Sequence, residues 1–373
     1  MASGADFIKI WYIVGPGQKA EVHYPLVQAV IQESHQAGQR VAVHATQLQT
    51  AKLAVKAGAD ILVHSVNDRE VDSEFIRLLK EHRILYIPTL SVFEGYQEVL
   101  TRQMHFSTPE ILLANPHFLG TLFRAFELPQ TDFPTFSAEF VRQHQQQIPI
   151  ARENLKRLHD AGVWIAAGTD AGNIGTLHGP AIFREFQLMQ EAGLTPHQIL
   201  TCATLNGARV MGMEEKLGSV EPGKLADLLI LNSDPRRQVP NLLDYFAIIK
   251  DGHLFRPQEI LHSSPGEVVQ VQTNAYNARD LEAFLTTFGD TVKAYTFPTR
   301  VRFANIREME EHYRQLFRSA PQLHAQIQNS TVLGNFVVNR EHITGLPDGG
   351  ISDMIVIYDV RDEKIQQLWF LGE

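Results

Sequence analysis

Short apolar runs alternate with amphipathic stretches through the N-terminal part of the chain. The runs are rich in β-branched and aromatic residues, which predicts strands at 4–14, 41–44, 61–64, 84–90 and 163–168. Helical spacing predicts one helix that begins near Pro25 and ends before Gly38, and others at 48–57, 71–82, 150–161, 180–192 and 196–211. Strands that alternate with helices in this way predict a parallel sheet or barrel.

The alternation of predicted strands and helices is interrupted at residues 91–150, where Phe, Pro and helical signals are mixed. Two interpretations remain open for this insertion, a lid or wall over a site and a plain packing excursion. Further on, short strands joined by turns predict a small β layer at about 216–256. The sequence thus predicts a first domain at 1–262, with its barrel strands within about 1–215.

A separate α+β domain is predicted at 267–373, after a polar linker. Its pattern predicts helices at 267–277, 280–288 and 305–319, with strands between and after them. A chain of 373 residues has room for two or three such domains.

Charge, apolar content and cysteine content restrict which partners and which cellular environment the chain is expected to have. The net charge of −9 argues against a nucleic-acid binder, and no apolar stretch reaches the roughly 20 residues that span a bilayer. Cys202 is the single cysteine, which excludes an intramolecular disulfide and fits a reducing compartment. The compartment itself stays open; a cytoplasmic location is expected only if residue 1 is the true start.

Four residues with metal-binding chemistry lie at or just after the ends of predicted strands: Lys9, His44, His64 and Asp170. Strand alternation places each on the inward face at the carboxyl end, where barrel active sites lie. Two neutral imidazoles and a carboxylate suit zinc. Any one of these residues alone would more often be a polar cap, but four at equivalent positions favour a metal site.

Lys9 is the unusual member, because it lies inside the apolar run Phe7–Trp11. Burial of an unpaired ammonium is costly, so such a lysine is expected to lose its charge or to find a partner. A neutral amine can react with carbon dioxide, and the resulting carbamate is a carboxylate-like metal ligand. The alternative is a lysine that reaches solvent.

Several motifs together resemble the amidohydrolase superfamily, in the branch of imidazolonepropionase and Xaa-Pro dipeptidase-like enzymes. They are Gly4–Lys9, Val43–Ala45, Ala57–His64, Gly168–Gly172, Thr201–Arg209 and, most specifically, Leu217–Asp227. The resemblance implies an α/β fold, a partial metal-dependent-hydrolase (β/α)-barrel with a remnant β-sandwich. It implies a carboxylated Lys9 that bridges two metals, a second metal on His44 and His64, and Asp170 as ligand of the first metal and general base.

The chain departs from that family pattern in three ways. Nothing precedes residue 4 that could supply the family's His-x-His pair, so the resemblance implies a chain truncated before the fourth barrel strand. Thr46 and Gln47 follow His44 where relatives often carry His or Tyr. Ser65 follows His64 in place of the more usual glycine.

The C-terminal part resembles the SnoaL-like, or nuclear-transport-factor-2-like, α+β barrels through Ala275–Asp280 and Ile357–Ile365. This resemblance implies a cone-shaped pocket and leaves open a homodimer formed through this domain. Tyr295, His324, His342 and Asp353 could line the pocket, or they could be ordinary polar strand residues.

The expected function is metal-dependent hydrolysis of an amide or other C–N bond in a small-molecule substrate, through a metal-activated water. One or two divalent ions are expected, zinc first, with Asp170 as the base and His178 and Glu185 as substrate-binding candidates. Two alternatives remain: a non-catalytic chain that binds or dimerises through the SnoaL-like domain, and an isomerase or cyclase in that domain.

Overall fold

The computed structural model describes residues 5–125 and 138–372. The chain forms two compact units, each assembled from separate segments. The first contains Met1–Gln103, Phe136–Thr176 and Ala181–Pro257, and the second contains Met104–Thr135, Leu177–Pro180 and Gln258–Glu373. Within the described ranges, no helix is both long enough and apolar enough to cross a membrane.

A five-stranded parallel sheet forms the centre of the first unit, with its strands in sequence order. The strands are β1 (Phe7–Trp11), β2 (Arg40–His44), β3 (Ile61–Val63), β4 (Leu85–Ile87) and β5 (Trp164–Ile165). This confirms the predicted strand order and the α/β class. The sheet is open, with β1 and β5 at its two edges, so a closed barrel is not seen in the described residues.

The helices of the chain, in order, are α1 (Tyr24–Gln36), α2 (Leu48–Ala57), α3 (Ser73–Glu81), α4 (Leu90–Thr101), α5 (Thr108–Leu113), α6 (Pro116–Arg124), α7 (Ala138–Asp160), α8 (Ala181–Glu191), α9 (Pro196–Ala203), α10 (Leu205–Met211), α11 (Pro257–Ile260), α12 (Pro265–Ala278), α13 (Leu281–Thr286) and α14 (Ile306–Ser319). Local signals explain several ends. Asp72 caps α3 through the N–H of Phe75, and Gly58 ends α2 at φ 103°.

The single helix predicted at 196–211 is wrong, because the chain breaks it at Thr204 into α9 and α10. Thr204 has φ −111° and ψ −83°, outside helical geometry. The break brings Asn206 to β5, where its side-chain amide donates a 2.7 Å hydrogen bond to the carbonyl oxygen of Ile165. A buried strand carbonyl is thereby satisfied.

Alternation along β2 follows the prediction. Val41 and Val43 are fully buried on one face, whereas Ala42 and His44 are only partly buried on the other. The buried face belongs to the core of the first unit, which also contains Phe75 of α3. The opposite face is therefore the one that carries polar chemistry.

A small antiparallel layer follows, as predicted, from β6 (Leu228–Leu231), β7 (Tyr245–Lys250) and β8 (His253–Phe255). Asp251 and Gly252 form the tight turn between the last two strands, both at positive φ.

The second unit is built on a six-stranded sheet in the order β10-β9-β14-β13-β12-β11. Its strands are β9 (Phe288–Thr296), β10 (Arg300–Phe303), β11 (His324–Leu333), β12 (Phe336–Thr344), β13 (Ser352–Arg361) and β14 (Lys364–Leu371). All neighbours are antiparallel except β14 and β9. Helices α12, α13 and α14 match the three helices predicted for this region.

Helices α5 and α6, from the predicted 91–150 insertion, belong to this second unit. Ile111 and Leu119 are fully buried in the same core as Phe284. Asn274 of α12 donates a 2.8 Å hydrogen bond to the carbonyl oxygen of Pro116. The flanking helices α4 and α7 belong to the first unit, and residues 126–137 lie outside the described ranges. The role of a lid remains a prediction.

Candidate active site

The carboxyl edge of the parallel sheet brings together the four residues predicted from the sequence. Lys9 lies in β1, His44 ends β2, His64 follows β3 directly, and Asp170 lies in the loop after β5. The Oδ1 atom of Asp170 is 3.9 Å from Nζ of Lys9, and its Oδ2 atom is 3.9 Å from Nε2 of His64. Parallel strands all end at this edge, so residues far apart in sequence meet there.

His44 is held between two rings. The Trp11 ring stacks on it with centroids 4.3 Å apart, and the His64 ring meets it edge-on at 4.2 Å. Its Nδ1 atom is buried and makes no hydrogen bond. Burial, helped by the Lys9 ammonium, lowers the pKa of His44 to about 4, so the ring is neutral at pH 7.

His64 is buried, with 4 % of its surface exposed, and has a positive φ of 74°. Its Nδ1 atom lies 2.7 Å from Oγ1 of Thr89, and its Nε2 atom is buried without a hydrogen-bond partner. Burial and the neighbouring His44 lower the pKa of His64. Both imidazoles therefore offer neutral nitrogen atoms.

Asp170 lies at φ 50°, a conformation that Asp and Asn tolerate better than most residues. About a third of its side chain is exposed, and Asn173 donates a 3.3 Å hydrogen bond to its Oδ2 atom. A Cβ atom at Gly168 would approach Cγ2 of Ile87 to 2.7 Å, so close packing against β4 is what requires glycine here.

Lys9 differs from the expectation of a buried amine, because 49 % of its side chain is exposed. Its strand β1 is an edge strand, with a neighbour on one side only among the described residues. The alternative interpretation, a lysine that reaches solvent, describes this arrangement better.

The two substrate-binding candidates lie in different settings. His178 is exposed and belongs to Leu177–Pro180 of the second unit. Glu185, in α8, is fully buried and accepts hydrogen bonds from the backbone N–H groups of Leu90 and Ser91. Burial raises the pKa of Glu185 to about 7. Substrate contact by either residue remains a prediction.

The donor atoms fit a divalent metal in type but not in full number. Within the described part of the chain, no group of three or more His, Cys, Asp or Glu side chains is arranged to hold a metal ion. Two ligand atoms of one zinc ion lie about 3.4 Å apart for bonds of about 2.1 Å, whereas the atoms of His64 and Asp170 are 3.9 Å apart. The unpartnered Nδ1 of His44 and Nε2 of His64 are nevertheless the kind of buried nitrogen that a metal satisfies.

The second unit contains a cavity of about 450 Å³. Its polar lining includes Tyr276, Arg302, His312, Tyr313, Glu341 and Tyr358. Glu341 is buried, which raises its pKa, and it accepts a 2.7 Å hydrogen bond from the hydroxyl of Tyr358. The Oδ1 atom of Asn339, also in β12, is buried without a partner.

None of the four residues suggested for this cavity is among the described residues that line it. His342 and Asp353 pair across β12 and β13, 3.0 Å apart, on the opposite face of the sheet from Glu341. Tyr295 stacks on Trp369 with ring centroids 5.9 Å apart. The interpretation as ordinary strand residues holds for these pairs. Glu341 was missed because alternation alone does not tell which face is concave.

Comparison with known proteins identifies the family. The family model "Amidohydrolase family" matches residues 3–254, and the model "SnoaL-like domain" matches residues 269–368. The chain therefore belongs to the amidohydrolase family and carries a SnoaL-like domain, which confirms both resemblances drawn from the motifs.

Among curated proteins, a 5-methylthioadenosine/S-adenosylhomocysteine deaminase of Symbiobacterium thermophilum is 27% identical over 208 residues, which cover 53% of this chain and 43% of the deaminase. An imidazolonepropionase of Geobacillus kaustophilus is 39% identical over 92 residues, 24% of this chain and 20% of the relative. The chain thus spans less than half the length of these relatives.

A solved structure supports the same assignment. A Xaa-Pro dipeptidase with bound methionine in its active site superposes with a TM-score of 0.51 at 28% identity. The match covers 68% of this chain and 55% of that protein.

Proposed function

We propose that the chain hydrolyses a carbon–nitrogen bond in a small molecule, at the carboxyl edge of the parallel sheet. The observation that carries the proposal is the convergence of His44, His64 and Asp170 there, with two buried ring nitrogens that lack partners. The relatives are a deaminase, an imidazolonepropionase and a Xaa-Pro dipeptidase. Deamination, opening of a ring amide and cleavage of a prolyl dipeptide all break a C–N bond.

Each residue has a role in the proposal. His44 and His64 would hold a divalent cation, zinc first, through their free ring nitrogens, and Asp170 would bind beside them. A cation bound there supplies Lewis acidity and lowers the pKa of water. Asp170 takes a proton from the attacking water and delivers it to the leaving nitrogen. A carbamate on Lys9 is part of the same proposal. The 3.9 Å approach of Nζ to Asp170 by itself favours the ammonium, and a cation bound beside it would favour the carbamate in its place.

The test uses the whole chain supplied with zinc and a panel of substrates: 5′-methylthioadenosine, S-adenosylhomocysteine, imidazolone propionate and Xaa-Pro dipeptides. Ammonia release is measured for the two nucleosides, amino-acid release for the dipeptides, and loss of the ring's ultraviolet absorbance for imidazolone propionate, whose ring opening releases no second product. We expect Asp170→Asn, which keeps the shape and suits φ 50°, to lower the rate at least about 100-fold.

Asp251→Asn is the matched control, because Asp251 also has a positive φ and lies in an exposed turn. Its rate should equal that of the unchanged chain. An Asp170→Asn variant that is as active as this control would refute the role of the base. No turnover of any substrate, together with no bound zinc, would favour the non-catalytic alternative.

A second candidate function belongs to the SnoaL-like domain, where the cavity beside Glu341 suits a small molecule with a carbonyl or hydroxyl group. Ligand sites are typically cavities with apolar walls and a few buried hydrogen-bond donors and acceptors at one end. The probe 1-anilinonaphthalene-8-sulfonate should fluoresce when it binds there. Ala325→Leu, which fills the cavity, should abolish the signal, whereas Ala304→Leu, at an exposed position, should not.

A further inference from the structure

A buried carboxylate outside the four candidate site residues is linked to one of them through a short chain of hydrogen bonds. We propose that Glu185 is a positioning residue for His64. It fixes the first turn of α4, so that Thr89 directs its hydroxyl oxygen at Nδ1 of His64 and leaves Nε2 as a free lone pair toward Asp170. This proposal rests on the proposed function, because it concerns the same site.

The first link joins Glu185 to α4. Its Oε1 atom accepts the N–H of Leu90 at 3.0 Å, and its Oε2 atom accepts the N–H of Ser91 at 2.8 Å. These two N–H groups begin the helix and have no partner inside it. A carboxylate at this end also interacts favourably with the helix dipole. Both oxygens of one fully buried side chain therefore fix the start of the helix.

The second link is the conformation of Thr89, the residue just before the helix. Thr89 has φ 47° and ψ 52°, the left-handed region that a β-branched residue rarely occupies. Such a conformation persists only where its surroundings hold it. The Glu185 contacts to the next two residues supply that restraint, and Thr89 itself is 2 % exposed.

The third link fixes the proton on His64. Its Nδ1 atom lies 2.7 Å from Oγ1 of Thr89, whereas its Nε2 atom is buried with no partner. A proton on Nε2 would leave a buried donor unsatisfied, which costs about 1–3 kcal/mol. A proton on Nδ1 is instead donated to Oγ1 of Thr89. The hydrogen-bonded nitrogen thus sets which nitrogen can act as a ligand.

The experiment reads the tautomer of His64 in the metal-free protein by ¹⁵N NMR of its ring nitrogens, assigned by their loss in His64→Asn. The unchanged chain should show a protonated Nδ1 and an unprotonated Nε2. Thr89→Val and Glu185→Gln should each shift the ring toward protonated Nε2. Thr89→Ser, which keeps the hydroxyl, should keep the tautomer of the unchanged chain.

Zinc affinity provides a second measurement, by competition with a chelating dye. Loss of the partner on a ligand histidine typically weakens metal binding 10- to 100-fold, and we expect a loss of this size for Thr89→Val and Glu185→Gln. Glu185→Asp, which keeps the charge on a shorter arm, should give a smaller loss and serves if Glu185→Gln fails to fold. Glu191→Gln, at the exposed end of α8, is the matched control.

The outcomes separate the two proposals. A tautomer that changes in Thr89→Val but stays unchanged in both Glu185 variants would overturn the positioning role of Glu185, whatever the hydrolytic activity. A tautomer that responds as expected in a chain that hydrolyses none of the substrates would leave the positioning role intact and reject the proposed function.

Discussion

The two units gather their polar chemistry in different ways. In the first, the parallel strands all end at one edge, and His44, His64 and Asp170 meet there. In the second, neighbouring strands run mostly in opposite directions, and polar residues meet on one face, as Glu341 and Tyr358 do. A site at strand ends depends on where strands stop, whereas a site on a face depends on which alternate residues point inward.

Glu185 and Glu341 sharpen this contrast, because both are buried carboxyl groups with raised pKa values. Glu185 binds backbone N–H groups and holds a helix in place. Glu341 binds the hydroxyl of Tyr358 and borders a cavity. The difference indicates a structural anchor in the first unit and a group accessible to a ligand in the second.

The largest expected effect tests whether the second unit depends on the helices α5 and α6. Leu119→Ala removes a fully buried side chain from that core, and we expect a loss of about 4 kcal/mol. Hydrogen exchange of amides in β12, β13 and β14 should speed up accordingly. Phe118→Ala, at a position 43% exposed, should change exchange little. Unchanged protection in Leu119→Ala would show that the burial of Leu119 does not support the sheet of the second unit.

An intermediate effect concerns pH and the first unit. Because the pKa of Glu185 is raised from 4.5 to about 7, the folded state binds more protons than the unfolded state between these values. The contribution of Glu185 to stability should therefore fall by about 3 kcal/mol as pH rises from about 4.5 to 7 and stay level above that range. The lowered pKa values of His44 and His64 act in the opposite direction, so the effect of Glu185 is measured as the difference in stability between the unchanged chain and a Glu185 variant.

Urea unfolding followed by tryptophan fluorescence measures this in a Trp369→Phe background, where Trp11 and Trp164 both report on the first unit. The stability difference between the unchanged chain and Glu185→Gln should fall by about 3 kcal/mol from pH 4.5 to 7. The corresponding difference for Glu153→Gln, half-exposed on α7, should not. A difference that stays constant over this pH range would show that Glu185 does not titrate with a raised pKa.

The smallest expected effect tests the Glu341 pair. Tyr358→Phe removes one hydrogen bond to Glu341, and the adjoining cavity allows water to replace it, so we expect a loss of about 1 kcal/mol. Protection of β12 amides against hydrogen exchange provides the measurement. A loss several times larger would mean that the pair is a rigid anchor like Glu185 and not an accessible group.

The sequence predicted which residues meet at the carboxyl edge of the parallel sheet because strand ends are marked locally; their role as metal ligands stays a prediction. Each apolar run stops at or near a polar residue, and that is enough to place His44 and His64. Glu341 could not be found in this way, since His342 beside it is equally plausible until the curvature of the sheet is known. Thr89 carried no signal at all, because its role depends on contacts with Glu185, which lies 96 residues later in the sequence.

Two further properties could not be predicted from the sequence: how exposed a side chain is, and which of the two units a segment joins. Lys9 lies in an apolar run, yet half of its side chain is exposed on β1, a strand with one neighbour among the described residues. The apolar residues of 104–125 predict burial but do not indicate which core they join. Long-range pairing decides both, and local patterns do not contain it.

The placement of α5 and α6 has a consequence for biosynthesis. Their partner helix α12 begins at Pro265, which is 141 residues after Arg124, since 265 − 124 = 141. At about 5–20 residues per second, ribosomes need roughly 7–28 s to make that stretch. During this interval α12 has not yet been made, so the apolar sides of α5 and α6 lack their partner in the finished core until the C-terminal domain is synthesised.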